Sequence, residues 1–226
     1  TMQTPGQEKD LVRGLLFSES IYRELDTHPK LEAIGINEDG YITSINLQIP
    51  EHLILKDFAG TRNVMSASSC GLCGKTSFED ETEVQIINTE ILDPALVGHM
   101  FDQVSEQQSS FQQSGGTHAA GAFTLDGRML SIREDIGRHN ALDKAIGSAL
   151  MRRDGFNFFR SYVACTGRVS SDMALKCSVA GIPLVVSRGA TTSLAISIAQ
   201  RTGLCIIGFL RGKRMTVYCH GHRLEG

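Results

Sequence analysis

Residues 161–219 read SYVACTGRVSSDMALKCSVAGIPLVVSRGATTSLAISIAQRTGLCIIGFLRGKRMTVYC, and the spacing of apolar runs in this stretch decides the fold class. Tyr162–Cys165, Ile182–Ser187, Leu204–Leu210 and Arg214–Tyr218 read as strands. Between the first three lie two helical segments, Ser170–Ala180 and Thr192–Thr202, each opened by a hydroxyl residue. Strand–helix alternation at this spacing predicts an α/β fold with a largely parallel sheet covered by helices. Ligands of such sheets sit beyond the carboxyl ends of the strands. Two loops fall there: Thr166-Gly167-Arg168-Val169-Ser170-Ser171-Asp172, and Ser187-Arg188-Gly189-Ala190-Thr191-Thr192-Ser193. Both carry arginine and hydroxyl groups, the chemistry that suits an anion or phosphate. The turn Phe209-Leu210-Arg211-Gly212-Lys213-Arg214 adds three cations between two apolar strands, which reads either as a solvated hairpin tip or as part of a basic cleft.

Upstream, Asp135–Arg153 reads as a long helix. Its approach, Arg133-Glu134-Asp135-Ile136-Gly137-Arg138-His139-Asn140-Ala141-Leu142-Asp143-Lys144, is crowded with polar groups. A helix start presents free N–H groups and a positive dipole end, so Arg138 and His139 there are candidates for phosphate contact; a solvated amphipathic face is the plainer reading. Before it, Ala119–Leu125 and Arg128–Ile132 flank Asp126-Gly127, a hairpin turn signal. The Gly115-Gly116-Thr117-His118-Ala119-Ala120 stretch that leads in reads as a turn against a ligand, or as a tight turn with a buried histidine. Asp93 and Pro94 open a helix with Leu96, Met100 and Val104 on one face. At the front, Thr4, Pro5 and Gln7 form a T-x-x-Q capping pattern ahead of Leu11, Val12, Leu15 and Leu16. The chain opens inside this helix entry, and residues upstream of Thr1 are expected. Leu31–Ile36, the turn 37–40 and the alternation of Ile45, Leu47 and Ile49 complete a small α+β unit over 1–58. Residues 81–226 form the larger domain, and 59–80 the loop between them.

That loop holds Ser68-Ser69-Cys70-Gly71-Leu72-Cys73-Gly74, the closest pairing among six cysteines. Its small residues predict a surface loop that more than one partner can approach. A C-x-x-C pair can be half of a zinc site, a redox dithiol or a persulfide carrier, and the spacing alone does not choose among them. Zinc would need further ligands, with Cys219, His220 and His222 the nearest chemistry on offer. Cys165, Cys177 and Cys205 stand in apolar surroundings and read as buried thiols. The pattern fits a reducing cytoplasm better than a secreted disulfide scaffold. The net charge of −3 gives no bulk case for nucleic acid, and no apolar run approaches the twenty or so residues of a membrane span.

The strings DLVRGLLFSE, SSCGLCG, GGTHAA, REDIGRHNALDKAIG, TGRVSSDMALK, AGIPLVVSRGATTSLA and TGLCIIGFLRGKRMTVY occur in the order that characterises the FdhD-type accessory proteins of formate dehydrogenases. The resemblance spans roughly residues 4–219. It implies a larger domain folded like a cytidine deaminase, preceded by a small α+β domain. It also implies a sulfurtransferase that takes persulfide sulfur from a cysteine desulfurase and passes it to molybdenum (or tungsten) bis(molybdopterin guanine dinucleotide), the bound substrate, before formate dehydrogenase receives it. Carried over residue by residue, Cys70 is the persulfide carrier and Cys73 its helper. Phe209, Leu210, Arg211, Gly212, Lys213 and Arg214 form part of the cofactor-binding site, with Thr117, His118, Arg138, His139, Ser187 and Arg188 as guanine-nucleotide or phosphate contacts. No resident metal is implied. A zinc deaminase needs H-x-E and a later P-C-x-x-C; here Ala119 and Ala120 follow His118, and the C-x-x-C precedes it, so deamination is not expected. A cofactor chaperone that only binds and protects is the alternative. A cytoplasmic location and a homodimer are the defaults. Thr191 stands where family members commonly carry proline, and the family's upstream strands precede Thr1.

Overall fold

A computed structural model describes residues 2–56, 85–87, 91–152 and 158–224. The whole of the expected 59–80 loop, with Cys70 and Cys73, lies outside them. Among the described residues a six-stranded sheet runs in the order β4-β3-β5-β6-β7-β8. Its strands are β3 (His118–Thr124), β4 (Met129–Asp135), β5 (Ser161–Cys165), β6 (Leu184–Ser187), β7 (Cys205–Arg211) and β8 (Arg214–Cys219). A separate antiparallel pair, β1 (Lys30–Ile36) and β2 (Ile42–Gln48), matches the hairpin read at 31–49.

The large sheet is mixed. Only β5–β6 and β6–β7 pair in parallel; β3–β4, β3–β5 and β7–β8 are antiparallel. The expected mixed, largely parallel sheet is therefore parallel at its centre and antiparallel at its flanks, where the sequence reads a hairpin at 119–132 and a tight turn between 204–210 and 214–218. The physical cause is connection length. Two tight turns, one at Asp126-Gly127 with φ +85° at Gly127 and one at Gly212 with φ +56°, can only reverse the chain, whereas a parallel return needs a helix-length crossover.

Alternate residues of the strands face two layers. Ala120, Ala122, Val163, Cys165, Val185 and Ile206 pack under α4 (Arg138–Leu150), α5 (Ser171–Val179) and α6 (Ser193–Thr202). Ala119, Phe123, Tyr162, Ala164, Val186 and Ile207 pack on the other side against Val97, Met100, Phe101 and Val104 of α2 (Pro94–Glu106). Asp93 caps α2 by accepting from the Ala95 amide at 2.8 Å, as its D-P signal predicts. A short α3 (Ser109–Ser114), unsignalled in the sequence, follows.

Two details of the sequence reading need correction. The expected T-x-x-Q box does not cap α1 (Glu8–Ser18): its N-cap is Gln7, at φ +56° and with no side-chain cap bond. Thr4 instead binds across the fold. Its amide donates to Asp135, its hydroxyl accepts from the Ile136 amide, and its carbonyl accepts from Lys144. The helix expected from Asp135 begins at Arg138, because residues 133–135 still pair with β3, up to His118 opposite Asp135.

α1 lies directly on α4. A Cβ at Gly14 would land on the Asp143 carbonyl, and one at Gly147 on the Asp10 carbonyl, so glycine at both positions sets the closeness of the crossing. Buried charges lock it. Lys144 pairs with Asp135 at 2.8 Å. Lys176 of α5 reaches Asp143 at 2.9 Å, Glu19 at 2.8 Å and the Ser18 hydroxyl at 2.9 Å. Asp143 and Lys144, which the sequence places in a ligand-facing helix start, are thus committed to the packing of α1, α4 and α5.

Candidate functional site

The parallel registers bring the carboxyl ends of β5, β6 and β7 to one edge of the sheet. Arg168 follows β5, Arg188 follows β6 and Arg211 ends β7; all three side chains are exposed. Adjacent strand ends stand about 4.8 Å apart, so three guanidinium-bearing residues line up on neighbouring strands. None of the three makes an ion pair with a carboxylate of the described residues. Because β3 runs antiparallel to β5, its first residue, His118, arrives at the same edge, and α4, α5 and α6 all begin there. Three helix starts and three arginines facing one edge make it a cationic region on a protein of net charge −3.

The loops that carry these arginines are tied to one another. Val169 and Thr191 form a parallel bridge, with the Val169 amide donating to Ala190 and the Thr192 amide to Val169. The Ser187 hydroxyl donates to the Gly167 carbonyl at 2.5 Å and accepts from the Gly189 amide at 2.8 Å. Only glycine fits at 189: a Cβ there would stand 2.7 Å from the Arg168 Cα. The Phe209 amide donates to Gly189, and Arg211 Nη1 donates to the Arg188 carbonyl at 2.8 Å. Arg188 lies over the Phe101 ring at 5.2 Å, which steers its guanidinium. Phe209 holds φ +53°, rare for an aromatic residue, and is half exposed.

The sequence-derived candidates divide by what their side chains do. His118, Arg138, Arg188, Arg211, Lys213 and Arg214 lie at this end of the fold, with Phe209 in β7 and Gly212 in the turn between β7 and β8. Arg138 is buried and packs on Gly167, where a Cβ would meet its Cβ at 2.9 Å. Thr117 donates its hydroxyl to Glu134 at 2.9 Å, Ser187 is spent between the loops, and Leu210 is buried in the layer beneath α2. His139 is drawn inward, its Nε2 3.1 Å from the Ser170 hydroxyl. Burial, reinforced by the neighbouring Arg138 and Lys176 charges, pulls its pKa down to about 3. Burial, then Arg138 and Arg168, also lowers His118. Both imidazoles are neutral at neutral pH. Two residues belong with the site that the sequence marks only within a loop: Arg168 and Ser170. Their position just past a parallel strand, on a loop with a helix behind it, is the signal that finds them.

The four described cysteines are poor nucleophiles. Cys165, Cys177 and Cys205 are buried, and burial pushes the Cys165 and Cys205 thiols up to about 12 and Cys177 higher still. Cys219 is half-buried, raised by the same cause, and its Sγ lies 3.2 Å from the Leu204 carbonyl.

The architecture defines an α/β protein with an arginine-bearing edge where three parallel strands end. The chain belongs to the FdhD/NarQ family, whose model matches residues 1–225. It is 38% identical over 232 residues to the sulfur carrier protein FdhD of Streptomyces avermitilis, covering 99% of this chain and 82% of that one. It is 36% identical to the Mycobacterium tuberculosis protein of the same name (99% and 84%), and 34% to that of Sulfolobus acidocaldarius (99% and 83%). The crystal structure of a protein from Desulfotalea psychrophila assigned as a formate dehydrogenase accessory protein superposes with a TM-score of 0.72 at 25% identity, covering 100% of this chain and 83% of that one. No helix among the described residues is long and apolar enough to cross a membrane.

Proposed function

We propose that this protein is a sulfurtransferase that carries persulfide sulfur on Cys70 from a cysteine desulfurase to molybdenum or tungsten bis(molybdopterin guanine dinucleotide) destined for formate dehydrogenase. The observation that carries the reading is the group of arginines at 168, 188 and 211, which share one end of the sheet and have no carboxylate partner among the described residues. Like charges so close repel one another, and a multiply charged phosphate ligand relieves that repulsion while accepting forked hydrogen bonds. A guanine dinucleotide supplies such phosphates. The turn 209–214 and His118 complete the rim. The fold is read as a deaminase-like scaffold without deaminase chemistry.

Sulfur chemistry falls to Cys70 and Cys73, because the four described thiols are held protonated by burial. The Cys70 thiolate attacks the terminal sulfur of the desulfurase persulfide. One S–S bond forms, one breaks, and the desulfurase cysteine leaves as thiolate with no net redox change. Attack of the Cys73 thiolate on Cys70 Sγ then expels the carried sulfur as sulfide to the substrate and leaves a Cys70–Cys73 disulfide. A thiol reductant resets the pair. Location in the cytoplasm and a homodimeric state belong to the same reading.

The site half of the proposal is tested by titrating GDP into the purified protein. Arg168→Ala, Arg188→Ala and Arg211→Ala are each expected to weaken GDP by about tenfold or more, the scale of a charge-assisted hydrogen bond. Wild-type affinity in all three variants would contradict it.

A further inference from the structure

We infer that Ser170 is a ligand-binding residue of this edge and that His139 is its positioning residue, donating from Nε2 to the serine oxygen so that the hydroxyl proton is directed at an anionic oxygen of the ligand. The inference rests on the anion-site reading above and deepens it.

The geometry begins with a cap that is not made. Ser170 occupies the N-cap of α5 with extended backbone angles (φ −90°, ψ 171°), yet its side chain accepts no bond from the helix amides. An N-cap serine ordinarily accepts from the N2 or N3 amide, and forgoing that bond leaves the helix start less stable. The next helix of the same layer keeps its cap, Thr192 accepting from the Ala195 amide at 3.3 Å. The Ser170 hydroxyl instead lies 3.1 Å from His139 Nε2, and both belong to loops and helix starts at the arginine edge. Departure from a local rule without a gain inside the fold is characteristic of functional positions.

The direction of the bond follows from the surroundings. Burial first, and then the charges of Arg138 and Lys176 against the opposing Glu19, disfavour a second proton on the His139 ring, so the imidazole stays neutral. A neutral imidazole has one N–H. If Nε2 accepts, the serine proton is consumed inside the protein and only lone pairs remain for a ligand. Those would repel the phosphate oxygens that the arginines attract. If Nε2 donates, the serine keeps a proton to give. Only the second arrangement agrees in sign with the site.

The test is GDP affinity by calorimetry on Ser170→Ala, His139→Phe, His139→Gln and the Ser170→Ala/His139→Phe double variant, with the melting temperature of each recorded. Glutamine can still donate through its amide, and phenylalanine cannot. Ser170→Ala and His139→Phe are each expected to weaken GDP about tenfold, the double variant no further, and His139→Gln to recover most of the loss. Additive losses in the double variant, or His139→Gln binding as poorly as His139→Phe, would overturn the positioning role. Unchanged affinity in a folded Ser170→Ala would overturn the serine contact. If these variants bind normally while Arg168→Ala and Arg188→Ala do not, this inference fails and the anion site stands. If the arginine variants also bind normally, the anion site itself fails.

Discussion

His139 illustrates how a side chain named by sequence can act otherwise than sequence implies. Its free reference value is 6.5 and its folded value about 3. Between those pH values the unfolded chain holds a proton that the folded chain lacks. This contribution to stability is therefore full above pH 6.5 and is lost progressively as pH drops toward 3. His118, also lowered, acts in the same sense. Urea unfolding of wild type and His139→Gln between pH 7 and 4.5 is expected to show a shallower pH slope in the variant, with the remaining slope carrying the His118 share. Equal slopes would mean His139 titrates normally. The sequence shows a histidine at a helix start; it does not show that the ring turns toward Ser170, because that depends on how α4 and α5 are set side by side. The arginines are more legible, since a residue just past a parallel strand has little choice of where to go.

At the scale of elements, the α1–α4 crossing is the tightest constraint in the molecule. Gly14 and Gly147 each meet backbone of the opposite helix, and backbone cannot rotate away as a side chain can. Gly14→Ala or Gly147→Ala is expected to lower unfolding free energy by about 3 kcal/mol, read as a drop in urea midpoint. A variant with an unchanged midpoint would show that the helices part easily. Every strand and all but one of the helices described are visible as apolar periodicity in the sequence, with ends displaced by a few residues. What periodicity does not carry is partner choice. It cannot tell that Thr4 ties to Asp135 and Lys144 rather than capping α1, or that Asp143 and Lys144 lock helices rather than face a ligand. The Thr4 bonds span more than a hundred residues of chain and the Asp143–Lys176 pair 33, and all exist only once the layers are stacked. That β3 pairs antiparallel with β5 was equally hidden, because local alternation is the same for parallel and antiparallel neighbours.

At the scale of the whole molecule, a mildly acidic protein gathers three arginines with no carboxylate partner among the described residues where three strands end, and keeps three of its four described thiols buried. The division suits a carrier whose reactive sulfur lies on one segment and whose substrate is held on another. Membership of the FdhD/NarQ family fits that division. On the proposed function, Cys70 carries sulfane sulfur. The most direct test is intact-protein mass spectrometry after incubation with a cysteine desulfurase and cysteine, on wild type, Cys70→Ala and Cys73→Ala. The account predicts a gain of one sulfur atom, removed by reductant, on wild type and Cys73→Ala but absent from Cys70→Ala, which still binds GDP. A wild-type protein that stays unmodified while the desulfurase itself is loaded, or a Cys70→Ala variant that takes up sulfur as well as wild type, would contradict it.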